Sequence, residues 1–336
     1  MLDDHQGWDG SQGGWRAKLR GKRPKHVIRA LLVHVWPLSI VGRWLYRLRW
    51  LAPVYQAINR RSRRLYAAHR QRLDLPAFHA VRSLRKDGLY QTSIAGLLGR
   101  AELFDDLRAD AGRLLAVPEV QARIQRRSHS LDRKWYVVRA IGHRARRQPI
   151  PASFGEFFLH ERMLAIASAY FGVQPRLNYV DVWHNFAVRD GEPAISAEYW
   201  HRDHEDKHVL KVFLYLEAID ETMGPLTYLR GSQPGGAFGT LFPAVPPTGC
   251  YPEPAALAAQ VKARSIPVLS CIGEAGTVVL ADTGGLHRGG RSHTKPRVVL
   301  IGVYTSNAGL DSTRYSLIDA PRRAALSPMA RFALYR

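Results

Sequence analysis

The sequence predicts a mainly β core with flanking helices, an α+β protein, preceded by a basic helical extension. Three observations predict this class. Short apolar runs separated by Gly- and Pro-rich turns fill residues 178–306, helical patterns precede them, and the first 76 residues carry more than half of the net charge of +21. With 336 residues, of which 46% are hydrophobic, the chain can bury a sizeable core.

Residues 1–76 form the basic extension, with 16 Lys and Arg residues against four Asp and Glu residues. Residues 1–14 are polar and glycine-rich, which predicts disorder, and residues 16–25 are a basic run. Residues 27–55 mix aliphatic and aromatic side chains with arginines. That mixture is typical of helices that lie in a membrane interface and meet anionic lipid with their cations.

The longest uncharged stretch of the extension, residues 30–42, is interrupted by Pro37 and is shorter than the roughly 20 apolar residues that cross a bilayer. Two interpretations follow. Either residues 16–64 make a peripheral contact with an anionic membrane, or ordinary helices pack on the core with their arginines in solvent. Nucleic acid is the less favoured polyanion because the chain has no zinc-finger spacing, RNA-binding aromatic motif or recognisable helix-turn-helix.

Two cysteines, Cys250 and Cys271, are too few for a disulfide framework in a chain of this length. We therefore expect a cytoplasmic protein, free or held peripherally at the inner face of a membrane.

Residues 77–336 are assigned to the main domain, which begins with helices. A partly periodic row of leucines predicts helical structure over residues 97–125. Residues 154–171 predict a further helix, with Ser153 as its cap, Glu156 at capping-box distance and Gly172 at its end.

The predicted core of this domain, residues 178–306, consists of strands. Residues 209–216 are an apolar, aromatic run typical of a strand, and residues 226–229 form a short strand after a Gly-Pro turn. Residues 277–282 are typical of a buried strand, and residues 297–304 of the next one. The sequence therefore predicts an all-β segment.

Two histidines and one aspartate in this segment have the pattern of a metal site. His201 and Asp203 are two residues apart, so on a strand both point to one face. His287 follows the strand of residues 277–282 and supplies a second imidazole. Two His and one carboxylate leave half of the coordination sphere open, as in non-haem Fe(II) oxygenases.

A rival pair, His204 and Asp206, follows immediately. Period-two spacing cannot turn both pairs towards one ion. Residues 204–208 are a dense polar cluster typical of a solvated loop, whereas residues 198–200 lead into the first pair like a strand. We therefore favour the first pair.

Four elements, in this order, resemble the phytanoyl-CoA dioxygenase family of Fe(II)/2-oxoglutarate-dependent oxygenases. They are Trp200-His201-Arg202-Asp203, Gly224-Pro225-Leu226 leading to Gly231-Ser232, Leu286-His287, and Arg297 ten residues after the second histidine. The resemblance covers about residues 178–306. It implies a double-stranded β-helix, a relative of the jelly roll and the cupins.

The resemblance also implies the cofactors. His201, Asp203 and His287 would hold Fe(II), with 2-oxoglutarate as co-substrate and O2 as oxidant. Arg297 would pair with the distal carboxylate of 2-oxoglutarate, which suits a planar guanidinium that stays charged when partly buried. The other interpretation of Arg297 is an edge-strand arginine paired with an acid.

Further contacts are assigned from strand position alone. Lys211, Tyr215 and Thr227 lie on strands expected to line the barrel, where they would hydrogen-bond 2-oxoglutarate or substrate; each could instead face outward or fill the core. The family often places a co-substrate contact in the region before the metal motif, where the candidates are Asn178, Trp183 and Asn185.

The sequence thus predicts a hydroxylase acting on a small-molecule substrate that is not identified. Asp203 favours hydroxylation because halogenating relatives in the family replace this carboxylate with a small residue. The basic extension favours a lipid-linked or otherwise anionic substrate. Two other classes stay open: a non-catalytic membrane- or polyanion-binding protein on the same scaffold, and a cupin-like metalloenzyme that works without 2-oxoglutarate.

Overall fold

The structure, a computed structural model, describes residues 44–70, 72–126, 136–142, 149–188, 191–192, 194–245, 249–309, 316–317 and 325–334. Its strands are β1 (Leu89–Ser93), β2 (Val137–Arg139), β3 (Pro149–Ile150), β4 (Arg176–Asn185), β5 (Leu210–Tyr215), β6 (Leu226–Leu229), β7 (Val268–Ser270), β8 (Thr277–Asp282), β9 (His287–Gly289), β10 (Arg297–Thr305) and β11 (Ser316–Leu317). Strands β3 and β11 form a small parallel pair.

Two antiparallel sheets make the core. The larger has the order β1-β8-β5-β10-β4-β2 and the smaller has the order β7-β6-β9. After β4 the chain reaches His201, whose backbone pairs with β9 of the smaller sheet. The chain then alternates between the sheets: β5 lies in the larger one, β6 and β7 in the smaller one, β8 in the larger one, β9 in the smaller one and β10 in the larger one. This alternation between two facing sheets is a double-stranded β-helix, so the predicted fold class is confirmed.

The two faces of the larger sheet bury different partners. Alternate residues of β5 and β10, such as Leu214 and Leu300, belong to a core shared with helices, and the residues between them, such as Phe213 and Ile301, face the smaller sheet. A Cβ at Gly302 would lie 2.2 Å from the Phe158 ring, so a helix can approach β10 this closely only at a glycine.

The helices are α1 (Ala52–Ile58), α2 (Arg60–Ala68), α3 (Leu75–Asp87), α4 (Ile94–Leu98), α5 (Leu103–Leu115), α6 (Pro118–Arg126), α7 (Ala152–Phe158), α8 (Glu161–Phe171), α9 (Pro254–Ala263) and α10 (Pro328–Leu334). The predicted helical structure of residues 97–125 is divided among α4, α5 and α6 because Gly99 ends the first and Pro118 begins the third.

The single helix predicted for residues 154–171 is wrong. Two helices, α7 and α8, occupy this segment, and Ser153 lies inside the first of them, where its hydroxyl donates to Asp110. His160 is the cap of α8, and its Nδ1 accepts a hydrogen bond from the backbone of Arg162. Gly172, with φ of 68°, ends α8 as predicted.

The extension is described from residue 44 onward. The predictions of disorder for residues 1–14 and of a basic run at 16–25, together with the first part of 27–55, lie outside the described residues. Within the described part of the chain, no helix combines the length and the apolar character needed to cross a membrane.

Candidate metal centre

His201 and His287 are placed by a short backbone ladder between the smaller sheet and the segment before β5. The His201 N–H donates to the His287 carbonyl at 2.9 Å, and the His287 N–H donates to the His201 carbonyl at 3.0 Å. Asp203 is fixed one step further, where its N–H donates to the Thr283 carbonyl at 2.9 Å. These bonds bring together side chains that are more than 80 positions apart in the sequence.

The approach to this ladder differs from the prediction. Residues Ser196–Glu198 form a turn of 3-10 helix, so residues 198–200 do not lead in as a strand. The Glu198 carboxylate is buried, accepts from the Ile195 N–H and forms a two-point ion pair with Arg291. These local contacts override the extended conformation that the sequence pattern predicted.

His201, Asp203 and His287 form one cluster. Each offers a ligand atom, and these atoms lie within 4.8 Å of one another. The Asp203 carboxylate is 3.8 Å from Nε2 of His201 and 3.7 Å from Nε2 of His287. Both rings are buried, with their centroids 4.2 Å apart. Two imidazoles and one carboxylate converging in this way can hold a divalent transition-metal ion.

The other nitrogen of each ring is held by a backbone carbonyl. Nδ1 of His201 is 2.9 Å from the Tyr199 carbonyl, and Nδ1 of His287 is 3.0 Å from the Gly285 carbonyl. A carbonyl can only accept, so each Nδ1 carries a proton, and Nε2 is the ring nitrogen that faces Asp203 and could bind a metal. Such second contacts orient histidine ligands in metal sites, so the donor set fits an ion.

Lys211 lies against the metal-site carboxylate. Its ammonium is 2.6 Å from the Asp203 Oδ2, and the two side chains are only 10% and 12% exposed. Burial opposes charge on Asp203, but the ammonium and the two histidines lower the pKa of this carboxyl below its usual range. The structure pairs Lys211, in β5, with a metal-ligand candidate in the segment before that strand, a contact that spacing in the sequence does not reveal. Its predicted contact with 2-oxoglutarate or substrate stays a prediction.

Arg202, between two of the candidate ligands, points away from them into the protein. Its guanidinium donates to the carbonyls of Phe242, Ser232, Gly284 and Leu241 at 2.6–2.9 Å. Burial lowers the pKa of Arg202, and the carbonyl oxygens compensate for part of the lost hydration. Arg202 therefore ties the Gly-Pro-rich loop and the turn before His287 to the metal motif. Nothing in the sequence pattern around Arg202 indicates this role.

The rival cluster of residues 204–208 is less solvated than predicted. Asp206 is fully buried and accepts from the backbone N–H groups of Lys207 and Ser306. His208 pairs with the buried carboxylate of Asp282 at 2.8 Å. The polar cluster is thus partly a structural network. The described residues place neither Asp206 nor His208 with the His201 cluster.

Arg297 is the first residue of β10, and its guanidinium is largely withdrawn from solvent. One nitrogen donates to the Met223 carbonyl at 3.0 Å, while the buried Nε has no hydrogen-bond partner among the described residues. Burial lowers the pKa of Arg297, and the described acids form no ion pair with it. The alternative of an edge arginine paired with an acid is therefore not what this part of the chain shows.

Tyr215 and Thr227 lie on the two strands β5 and β6, and register shows which face each occupies. The Tyr215 hydroxyl donates to the Cys271 carbonyl, and burial raises the pKa of this tyrosine. In β6, Tyr228 is opposite His287 and Thr227 is opposite Arg288. Because successive side chains of a strand alternate, Thr227 lies on the face away from His287. Tyr215 is opposite Val299 on the inner face of the larger sheet. The predicted contacts of both side chains with 2-oxoglutarate or substrate stay predictions.

The three co-substrate candidates on β4 differ in their partners on the neighbouring strand β10. Asn185 is opposite Arg297 and its side chain donates to the Arg297 carbonyl at 3.3 Å. Trp183 is opposite Val299, one row further along the same face, and its buried Nε1 has no partner among the described residues. Asn178 lies at a register shift in β4. Nε1 of Trp183 therefore joins Nε of Arg297 as a buried donor that has no acceptor in the described part of the chain.

No protein-family model and no curated protein matches the sequence. Similar solved structures include the epimerase SnoN in complex with Fe3+, alpha ketoglutarate and nogalamycin RO, at 16% identity over 68% of this chain and 83% of that one, with a TM-score of 0.46. EctD from S. alaskensis with 2-oxoglutarate and 5-hydroxyectoine is 18% identical over 74% and 82%, with a TM-score of 0.48. AviO1 from Streptomyces viridochromogenes Tue57 is 20% identical over 72% and 99%, with a TM-score of 0.43. Likeness at this level assigns no activity.

Proposed function

We propose that the chain is an Fe(II)- and 2-oxoglutarate-dependent dioxygenase of the phytanoyl-CoA dioxygenase type, which hydroxylates an unactivated C–H bond of a small molecule. The observation that carries the proposal is the convergence of His201, Asp203 and His287 within 4.8 Å, with Nδ1 of each histidine held by a backbone carbonyl. Bound iron, 2-oxoglutarate and O2 would supply the oxidation itself.

The protein residues would bind and orient. His201 and His287 would hold the ion through Nε2 and Asp203 through its carboxylate, while Lys211 keeps that carboxylate ionised. The ladder between the two histidines places both ligands before any metal arrives. Because the histidines are already in position, metal binding would require little rearrangement of the protein and would lose little free energy to it.

Two unsatisfied donors support a carboxylate-bearing co-substrate. Arg297 Nε and Trp183 Nε1 are buried, lack acceptors among the described residues and lie on adjacent rows of the inner face. Buried donors of folded proteins are almost always paired, so an acceptor is missing here. A carboxylate satisfies a guanidinium and can accept from an indole N–H at the same time. We assign these two side chains to the distal carboxylate of 2-oxoglutarate.

The test is an anaerobic absorbance titration of metal-free protein with Fe(II), followed by 2-oxoglutarate. We expect a visible charge-transfer band in the wild type and none in His201→Ala. Arg297→Leu should need about 100-fold more 2-oxoglutarate, because it removes a charge-assisted pair in a buried site. Arg288→Leu, at an exposed arginine on β9 of the smaller sheet, is the matched control and should titrate like the wild type.

Each contrary outcome supports a different class. Fe(II) binding without any response to 2-oxoglutarate would favour a metalloenzyme of the cupin type. A folded protein that binds no Fe(II) would favour a non-catalytic binding protein. For the substrate, the basic extension favours a lipid-linked or otherwise anionic small molecule, which a screen of substrate-dependent succinate release would test.

A further inference from the structure

We propose that residues 44–64 carry a docking face for an anionic lipid surface, consisting of exposed apolar side chains flanked by exposed arginines. This inference concerns a binding surface and does not depend on the metal centre. The docking face comprises Trp44, Leu45, Leu48, Leu51 and Ile58 together with Arg47, Arg60, Arg61, Arg63 and Arg64.

The opposite side of this segment is attached to the barrel. Asn59, between α1 and α2, is fully buried; its side chain donates to Ser306 at 3.3 Å and accepts from the backbone of Asn307 at 2.9 Å. Ser62 is also fully buried, and its carbonyl accepts from the Gln174 N–H at 3.2 Å. The segment is therefore held in one orientation, with one side against the core.

The attachment leaves large apolar side chains in solvent. Trp44 is 63% exposed, Leu45 50%, Leu48 40%, Leu51 52% and Ile58 38%. Trp44, Leu45 and Leu48 fall on one side of a short helical stretch, since residues three and four apart are neighbours on a helix. Leu51 is the N-cap residue of α1, and Ile58 is the last residue of that helix. Five exposed large apolar side chains within residues 44–58 indicate a binding surface.

The charge around these side chains has one sign. Residues 44–73 contain eight arginines and neither Asp nor Glu. Four of the arginines are exposed on α2, which directly follows the apolar part of the docking face. Cations beside an apolar surface match a bilayer interface, where anionic headgroups lie next to acyl chains. A nucleic acid would satisfy the arginines but not the leucines and the tryptophan.

The first experiment is co-sedimentation of the full chain with phosphatidylcholine vesicles and with equimolar phosphatidylcholine and phosphatidylserine vesicles. We expect strong binding only to the anionic vesicles, and weaker binding at high salt. The charge variant Arg60→Ser/Arg61→Ser/Arg63→Ser/Arg64→Ser should lose about 100-fold in affinity. The apolar variant Trp44→Ser/Leu48→Ser/Leu51→Ser should also bind more weakly, although its charge is unchanged.

The matched control is Val268→Ser/Ile272→Ser, which removes two apolar side chains that are 47% and 41% exposed in and beside β7. It should bind like the wild type. Equal binding by the wild type and both docking-face variants would overturn the proposal. So would binding to single-stranded DNA that depends on the arginines while anionic vesicles do not bind, since the partner would then be nucleic acid.

A second measurement asks whether residues 1–43 of the same chain cover the docking face. Leu48→Cys, in a Cys250→Ser background, is labelled with a polarity-sensitive fluorophore. We expect emission typical of water in buffer and a blue shift when anionic vesicles are added. An apolar spectrum in buffer that vesicles leave unchanged would assign the face to the chain's own amino-terminal segment and end the proposal.

Discussion

His201 and His287 are joined main chain to main chain by two hydrogen bonds of 2.9 and 3.0 Å, and their rings stand 4.2 Å apart. The same two hydrogen bonds attach the segment that follows β4 to the smaller sheet. The fold and the metal centre are therefore stabilised by the same contacts, which gives the centre its order in the metal-free protein.

The first prediction concerns which histidines bind metal. We expect His287→Ala to abolish stoichiometric binding of Co(II), because two ligands on a partly buried site leave too few donors. His204→Ala, at the rival position, should keep it. The absorbance of bound Co(II) measures both. Loss of the band in His204→Ala with retention in His287→Ala would assign the site to the rival cluster.

The second prediction concerns Lys211. Lys211→Met should destabilise the metal-free protein by about 3–5 kcal/mol, because it leaves the buried Asp203 carboxylate without its cation. Co(II) should then raise the melting temperature of the variant more than that of the wild type, since the ion supplies the missing positive charge. Lys262→Met, at an exposed lysine of α9, is the control for thermal melting. An unchanged melting temperature in Lys211→Met would contradict this role.

The third prediction concerns Arg202, whose guanidinium reaches four carbonyls. Arg202→Lys cannot reproduce this planar set of donors, so we expect about 3 kcal/mol of lost stability and roughly tenfold weaker Co(II) binding. Chemical denaturation and the Co(II) titration measure the two effects. Arg230→Lys, at an exposed ion pair with Asp87, should change neither. A stable Arg202→Lys protein with normal metal affinity would show that these contacts do not position the ligands.

The fourth prediction concerns the reactivity of the two thiols, Cys250 and Cys271. Burial raises the pKa of Cys271 to about 12, and burial also raises the pKa of the half-buried Cys250. Because the thiolate is the reactive form, a raised pKa lowers reactivity at mildly alkaline pH. We expect an aromatic disulfide reagent to modify Cys250 slowly and Cys271 only after unfolding. Fast modification of two thiols in the native protein would contradict the burial of Cys271.

The strands of the barrel and the three candidate metal ligands were predictable, because both depend on local patterns. Residues 209–216 and 277–282 are apolar runs between turns, and their strands formed within a residue or two of the prediction. The spacing of His201 and Asp203 likewise survives, even though residues Ser196–Glu198 are a helical turn rather than a strand.

The errors have a common origin in contacts between distant parts of the chain. Ser153 was predicted to cap a helix, but its hydroxyl donates to Asp110. Asp206 was predicted to lie in a solvated loop, but it is buried and its carboxylate accepts from the backbone N–H of Ser306. Lys211, whose predicted contact with a co-substrate stays a prediction, also has a partner that the sequence did not indicate, the carboxylate of Asp203. For Ser153 and Asp206, a partner on another element overrides the local preference.

The sequence by itself determined the class of fold, the order of its strands and the identity of the metal-ligand candidates, because hydrophobic period and residue chemistry are local properties. Only the tertiary structure decided which donors are left without acceptors, as at Arg297 and Trp183, and which side of residues 44–64 faces solvent. Those features arise where strands and helices meet, and no spacing along the chain records how far apart two surfaces lie after folding.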